Sequence, residues 1–109
     1  RYFDPAARRS GMPPDVGALV SELTNDSVTV TLVNTNQVEP REVIVQAGGY
    51  GEHQFTGVAS DGRRTAIDSP LLTVRLGPGA GPELVLSMRR SANPPTLAQP
   101  WTRGWVGPR

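Results

Sequence analysis

The chain has 109 residues, which predicts one domain. Its 12 Gly and 11 Pro beside 37% apolar residues are too many breakers for a helical protein and predict many turns. Its 11 basic residues, all arginine, stand against 10 acids without a clustered basic run, which excludes a nucleic-acid footprint, and zero cysteines exclude disulfides, thiolate metal sites and cysteine nucleophiles.

From the N-terminus, residues 1–14 are irregular by composition, with Tyr2 and Phe3 lacking periodic apolar company. Asp15, after Pro13-Pro14, has the chemistry of a helix N-cap. Val16, Leu19, Val20 and Leu23 follow at i, i+3, i+4, i+7, which predicts a short amphipathic helix over 15–23. From residue 27 the period changes to two. Val28, Val30 and Leu32 alternate with Thr29, Thr31 and Val33, the pattern of a strand over 27–34. A second strand, 41–47, carries Val43 and Val45 on one face and Ile44 on the other. Gly48-Gly49-Tyr50-Gly51 forms an elbow before a third strand over 52–59, in which His53, Phe55 and Gly57 share a face. Asp61-Gly62 signals a tight hairpin. Short strands are predicted at 64–67, 71–76 and 83–89, the last with Leu84, Leu86 and Met88 on one face. Roughly six strands with turn signals between them predict a sandwich or barrel. Residues 91–109 hold four prolines with Trp101 and Trp105 and read as an extended arm.

Little here can do chemistry. A single histidine, His53, and no cysteine leave no ligand set for a transition metal, and no other cofactor is implied. No Gly-x-Ser-x-Gly elbow occurs, and no catalytic residue is assigned. Asn34, Asn36 and Glu39 lack the spacing of a calcium loop and read as turn chemistry. The candidate binding residues are Tyr50, Glu52 and His53 at the elbow and Trp101 and Trp105 in the arm. Three glycines around one aromatic fit first a bulge or sheet crossover, and second a backbone bent so that Tyr50, Glu52 and His53 reach a cleft or a neighbouring domain. Glu52 and His53 fall on opposite faces of a regular strand. No apolar run approaches the length of a membrane span. The chain opens at Arg1 without a signal-peptide pattern, and it is expected to be processed or cut from a longer polypeptide.

The run Val28-Thr-Val-Thr-Leu-Val-Asn-Thr-Asn36, the Val-Ile-Val of 43–45 and the closing Glu83-Leu-Val-Leu-Ser-Met-Arg89 resemble the small C-terminal β-sandwich domains of bacterial glycoside hydrolases and related carbohydrate-active proteins. The resemblance covers about 27–90 and leaves out the leader and the arm. It implies that catalysis belongs to another domain, and it favours a bacterial secreted or periplasmic setting. The expected architecture is an all-β, antiparallel, immunoglobulin-like sandwich. It consists of a leader with a short helix (1–26), a core (27–90) and a C-terminal arm (91–109). The expected function is a non-catalytic accessory domain or small subunit that packs on a larger catalytic partner. The alternatives are a free-standing carbohydrate- or protein-binding module and a subunit lending residues to a shared active site.

Overall fold

A computed structural model describes residues 1–103 of the chain. Among the described residues, nine strands form two antiparallel sheets. They are β1 (Tyr2–Asp4), β2 (Arg9–Ser10), β3 (Val16–Leu23), β4 (Ser27–Asn34), β5 (Arg41–Gln46), β6 (Gln54–Ser60), β7 (Arg63–Ser69), β8 (Leu71–Leu76) and β9 (Glu83–Arg89). One sheet has the order β2-β1-β5-β8 and the other β3-β4-β9-β6-β7. Among the described residues, a single 3-10 turn, Pro100–Arg103, follows β9.

The alternation read in the sequence is what builds the core. Val30, Leu32, Phe55, Leu84 and Leu86 from the five-stranded sheet meet Val43, Val45 and Leu76 from the four-stranded sheet in one buried cluster. Burying these branched faces is the main drive for the fold. A second, smaller cluster lies on the outer face of the four-stranded sheet. There Phe3, Ile44 and Leu71 pack together and Trp101 packs against them. Ile44 therefore points away from Val43 and Val45, as period two requires, yet it is equally buried.

Pairing is nested. β6 pairs with β7, β5 with β8 and β4 with β9. This is the winding of jelly-roll sandwiches rather than the expected immunoglobulin-like order. In the immunoglobulin arrangement the final strand lies at the edge of its sheet, beside the strand that precedes it. Here β9 lies between β4 and β6.

The expected helix over 15–23 is replaced by strand β3, which pairs with β4 from Val16↔Asn34 to Leu23↔Val28. The register shifts between Val20 and Glu22. The extra residue, Ser21, returns Leu23 to the face of Val16 and Val20, so a bulged strand reproduces the i, i+4, i+7 spacing of a helix. Asp15 is not a cap. It takes φ 66°, and its carboxylate accepts from Arg41 and from Asn36, each at 3.2 Å. Residues 1–14, read as irregular, supply β1 and β2. Phe3 is fully buried opposite Ile44.

The Asp61-Gly62 hairpin forms as predicted, with φ 51° and 75° at the two turn positions, the pair that a two-residue turn of matching twist needs. Asn34 is buried with its polar atoms satisfied. Its Nδ2 donates to the carbonyls of Glu39, Leu76 and Gly77, and its Oδ1 accepts from Asn36 N. That is the turn chemistry predicted for this loop. Among the described residues, no helix is long and apolar enough to cross a membrane.

Candidate functional site

The elbow between β5 and β6 is a tied loop. Gly48 takes φ 84°, and a Cβ there would overlap the Glu52 carboxylate. Only glycine fits both the backbone and the neighbour. The freed space lets Glu52 Oε1 accept from the Tyr50 backbone N–H at 3.2 Å. The arm then closes over the loop from the far end of the chain. Thr96 N donates to the Tyr50 carbonyl at 2.7 Å and Asn93 N to the Glu52 carbonyl at 3.0 Å. Asn93 Nδ2 reaches the carbonyls of Gly51 and His53 and the Gln54 side chain at 2.8–3.3 Å. Ser91 N donates to His53 Nδ1 at 2.9 Å, with Ser91 in the left-handed region at φ 53°. A serine at that φ costs on the order of 1 kcal/mol and persists only where neighbours fix it.

These bonds assign the predicted residues. Tyr50 stands 51% exposed at the tip. Glu52 is half-buried and holds the loop. His53 is half-buried, and its Nδ1 is an acceptor, which places the proton of the neutral ring on Nε2. Glu52 and His53 lie together beside Gly48, closer than a regular strand would put them, because β6 begins only at Gln54. Trp101 packs on the four-stranded sheet, against Phe3, Ile44 and Leu71. Its ring meets Phe3 edge-on, at 6.1 Å between centroids and 84° between planes. Trp105 lies outside the described residues. The clamp residues Ser91, Asn93 and Thr96 were missed in the sequence. Asn93 before Pro94-Pro95 carried a turn signal, but nothing pointed to a partner some 40 positions away.

Burial works to raise the Glu52 pKa, but the backbone N–H groups of Glu52 and Tyr50 and the neighbouring His53 outweigh it and hold it below the ordinary glutamate value of 4.5. A depressed folded pKa means that the charged form stabilises the elbow above the unfolded value. That contribution is lost as pH falls through the lower, folded one. The protection factor of the Tyr50 amide is therefore expected to be flat near neutrality and to fall only on acidification below the ordinary glutamate range, and the fall should be absent in Glu52→Gln, which should be poorly protected throughout. An identical pH profile in the variant would show that the carboxylate does not hold the loop.

Two clefts flank these elements. One of about 670 Å³ is bordered by Pro13, Pro14, Asp4, Arg41, Glu42 and Arg75, with no elbow residue in its wall. The other, about 280 Å³, opens between the sheets and is lined by Tyr2, Val20, Leu23, Val28 and Met88, with His53 and Arg90 also in its wall. Burial pushes the Tyr2 hydroxyl pKa up. Among the described residues, no group of three or more His, Asp or Glu side chains is placed to hold a metal. The chain matches no family model, no curated protein and no solved structure.

Proposed function

We propose that the chain is a non-catalytic accessory domain or small subunit of a larger enzyme, and that it acts by packing, with the elbow as its contact surface. One observation carries this reading. Tyr50 is held 51% exposed on a loop fixed by Glu52, Asn93 and Thr96. A rigid, exposed tyrosine loses little entropy on binding and is among the residue types enriched at interface hot spots. His53 fits the same role, since its Nδ1 is committed to Ser91. The carbohydrate-active, bacterial setting rests on the resemblance of 27–90 alone.

A second reading, a free-standing carbohydrate- or protein-binding module, draws on the same Tyr50 ring. It is the weaker reading for sugars, because Trp101 is turned onto Phe3 and offers no second stacking face beside it. Tyr50→Ala is expected to leave the melting midpoint nearly unchanged while weakening association with the rest of the enzyme by about tenfold. The purified chain is expected to turn over none of a panel of aryl glycosides and esters. Turnover that disappears in His53→Ala would sink the non-catalytic reading. Saturable oligosaccharide binding, lost in Tyr50→Ala, would replace it with the second.

A further inference from the structure

The smaller cleft supports an inference that does not rest on the elbow as a contact surface. It opens where the two sheets are unequal. β3 has eight residues, whereas β1 and β2 have three and two. The floor of the cleft is core, with Val30, Phe55 and Leu86 each no more than 2% exposed. Its lip is Val20 and Leu23, at 51% and 65% exposed. An apolar slot with a few polar groups at its mouth is the usual form of a small-molecule site. A volume of about 280 Å³ is the share of roughly nine waters at ~30 Å³ each, so an occupant has about eight to ten non-hydrogen atoms.

The mouth selects the charge of that occupant. Antiparallel pairing sets Phe55 against Met88 and Gln54 against Arg89, so the next pair outward is His53 and Arg90. Two positions beyond Phe55 and Met88, this pair falls on the same inner face, with Cβ atoms about 4.5–5.5 Å apart for direct opposites. Both residues line the cleft. Both are also held in place. His53 Nδ1 accepts from Ser91 N at 2.9 Å, which leaves Nε2–H as its donor. Arg90 donates from Nε to the Asn25 carbonyl and from one Nη to the Thr24 carbonyl, which leaves its other Nη. No Asp or Glu lines the cleft, and the neighbouring Glu52 is committed to the Tyr50 N–H. Arg1, also in the wall, turns its guanidinium to Ser10 and over the Phe3 ring.

We propose that this cleft binds a small aliphatic carboxylate, with its chain between the sheets and its two oxygens on His53 Nε2–H and the free Nη of Arg90. Two donors on separate side chains match the two oxygens, and hydrogen bonds to a charged group are the stronger kind. An ammonium of the same length offers no acceptor and meets the positive charge of Arg90.

Amide NMR titrations of the whole chain test this. Hexanoate is expected to give saturable shifts at Val28, Met88 and His53, with a Kd on the order of 1 mM for a ligand this small. Hexylammonium, with the same chain and the opposite charge, and acetate, with the head and no chain, should each bind at least about tenfold more weakly. Arg90→Gln removes the charge at an exposed side chain and should weaken hexanoate by about tenfold or more. Val20→Trp adds bulk at the exposed lip and should abolish binding, while the thermal midpoint shows that the variant is folded. Hexanoate shifts that do not saturate, equal binding of hexylammonium or acetate, or unchanged binding in either variant would overturn the proposal.

Discussion

Leu86→Asp is expected to leave the chain without a cooperative thermal transition. Leu86 is fully buried at the middle of β9, opposite Val28 on one side and Val58 on the other. Truncating a buried leucine costs about 2–5 kcal/mol through lost burial and the cavity left behind. An unpaired carboxylate in the same place adds several kcal/mol, even if it neutralises by taking up a proton. A domain of this size is stable by roughly 5–15 kcal/mol in total, so the sum reaches or exceeds the margin. Val30→Asp, 2% exposed on β4, should act in the same direction. The control is Val85→Asp, one residue away on the outward face and 37% exposed, which should shift the melt only slightly. A wild-type melt in Leu86→Asp together with a lost one in Val85→Asp would mean that the inner face has been assigned to the wrong side of β9.

That face was legible because period two leaves no alternative once one side is apolar. β4, β8 and β9 span the same residues as the strands predicted at 27–34, 71–76 and 83–89. Asp61-Gly62 likewise admits few conformations besides a hairpin. The leader was not legible, for two different reasons. Val16, Val20 and Leu23 satisfy a helix and a bulged strand alike, and only pairing with β4 decides between them. Tyr2 and Phe3 owe their burial to β5 and to Trp101, about 40 and 100 positions distant, and no local pattern encodes that. Strand order is tertiary in the same sense, since nothing in 83–89 says which strands will flank it. At the elbow, the glycines announced an unusual backbone, and Tyr50, Glu52 and His53 do gather there. What holds them is the stretch 91–96, whose part in the site became visible only when the chain was seen to return.

That return sets the second large expectation. An arm meant for a partner should be dispensable to the isolated domain, but the described part of this arm covers its own sheet. Pro100 is buried, and Trp101 lies half-buried across Phe3, Ile44 and Leu71. A fully buried aromatic truncated to alanine costs about 3–5 kcal/mol, and a half-buried one correspondingly less, so Trp101→Ala is expected to cost about 2–3 kcal/mol. At roughly 4–8 °C per kcal/mol for a domain near 100 residues, the melting midpoint should fall by about 8–24 °C. Deleting 98–109 removes Pro100 and Trp101 together and uncovers Phe3, so it should destabilise at least as much. Leu97→Ala, at a side chain 74% exposed in the same segment, should change little and separates packing from mere disturbance of the arm. The clamp at 91–96 remains after the deletion, so Tyr50 should keep its protected amide even as the midpoint falls. If the deletion instead leaves the midpoint unchanged, Trp101 does not cover the sheet in solution, and both tryptophans are free to serve a partner.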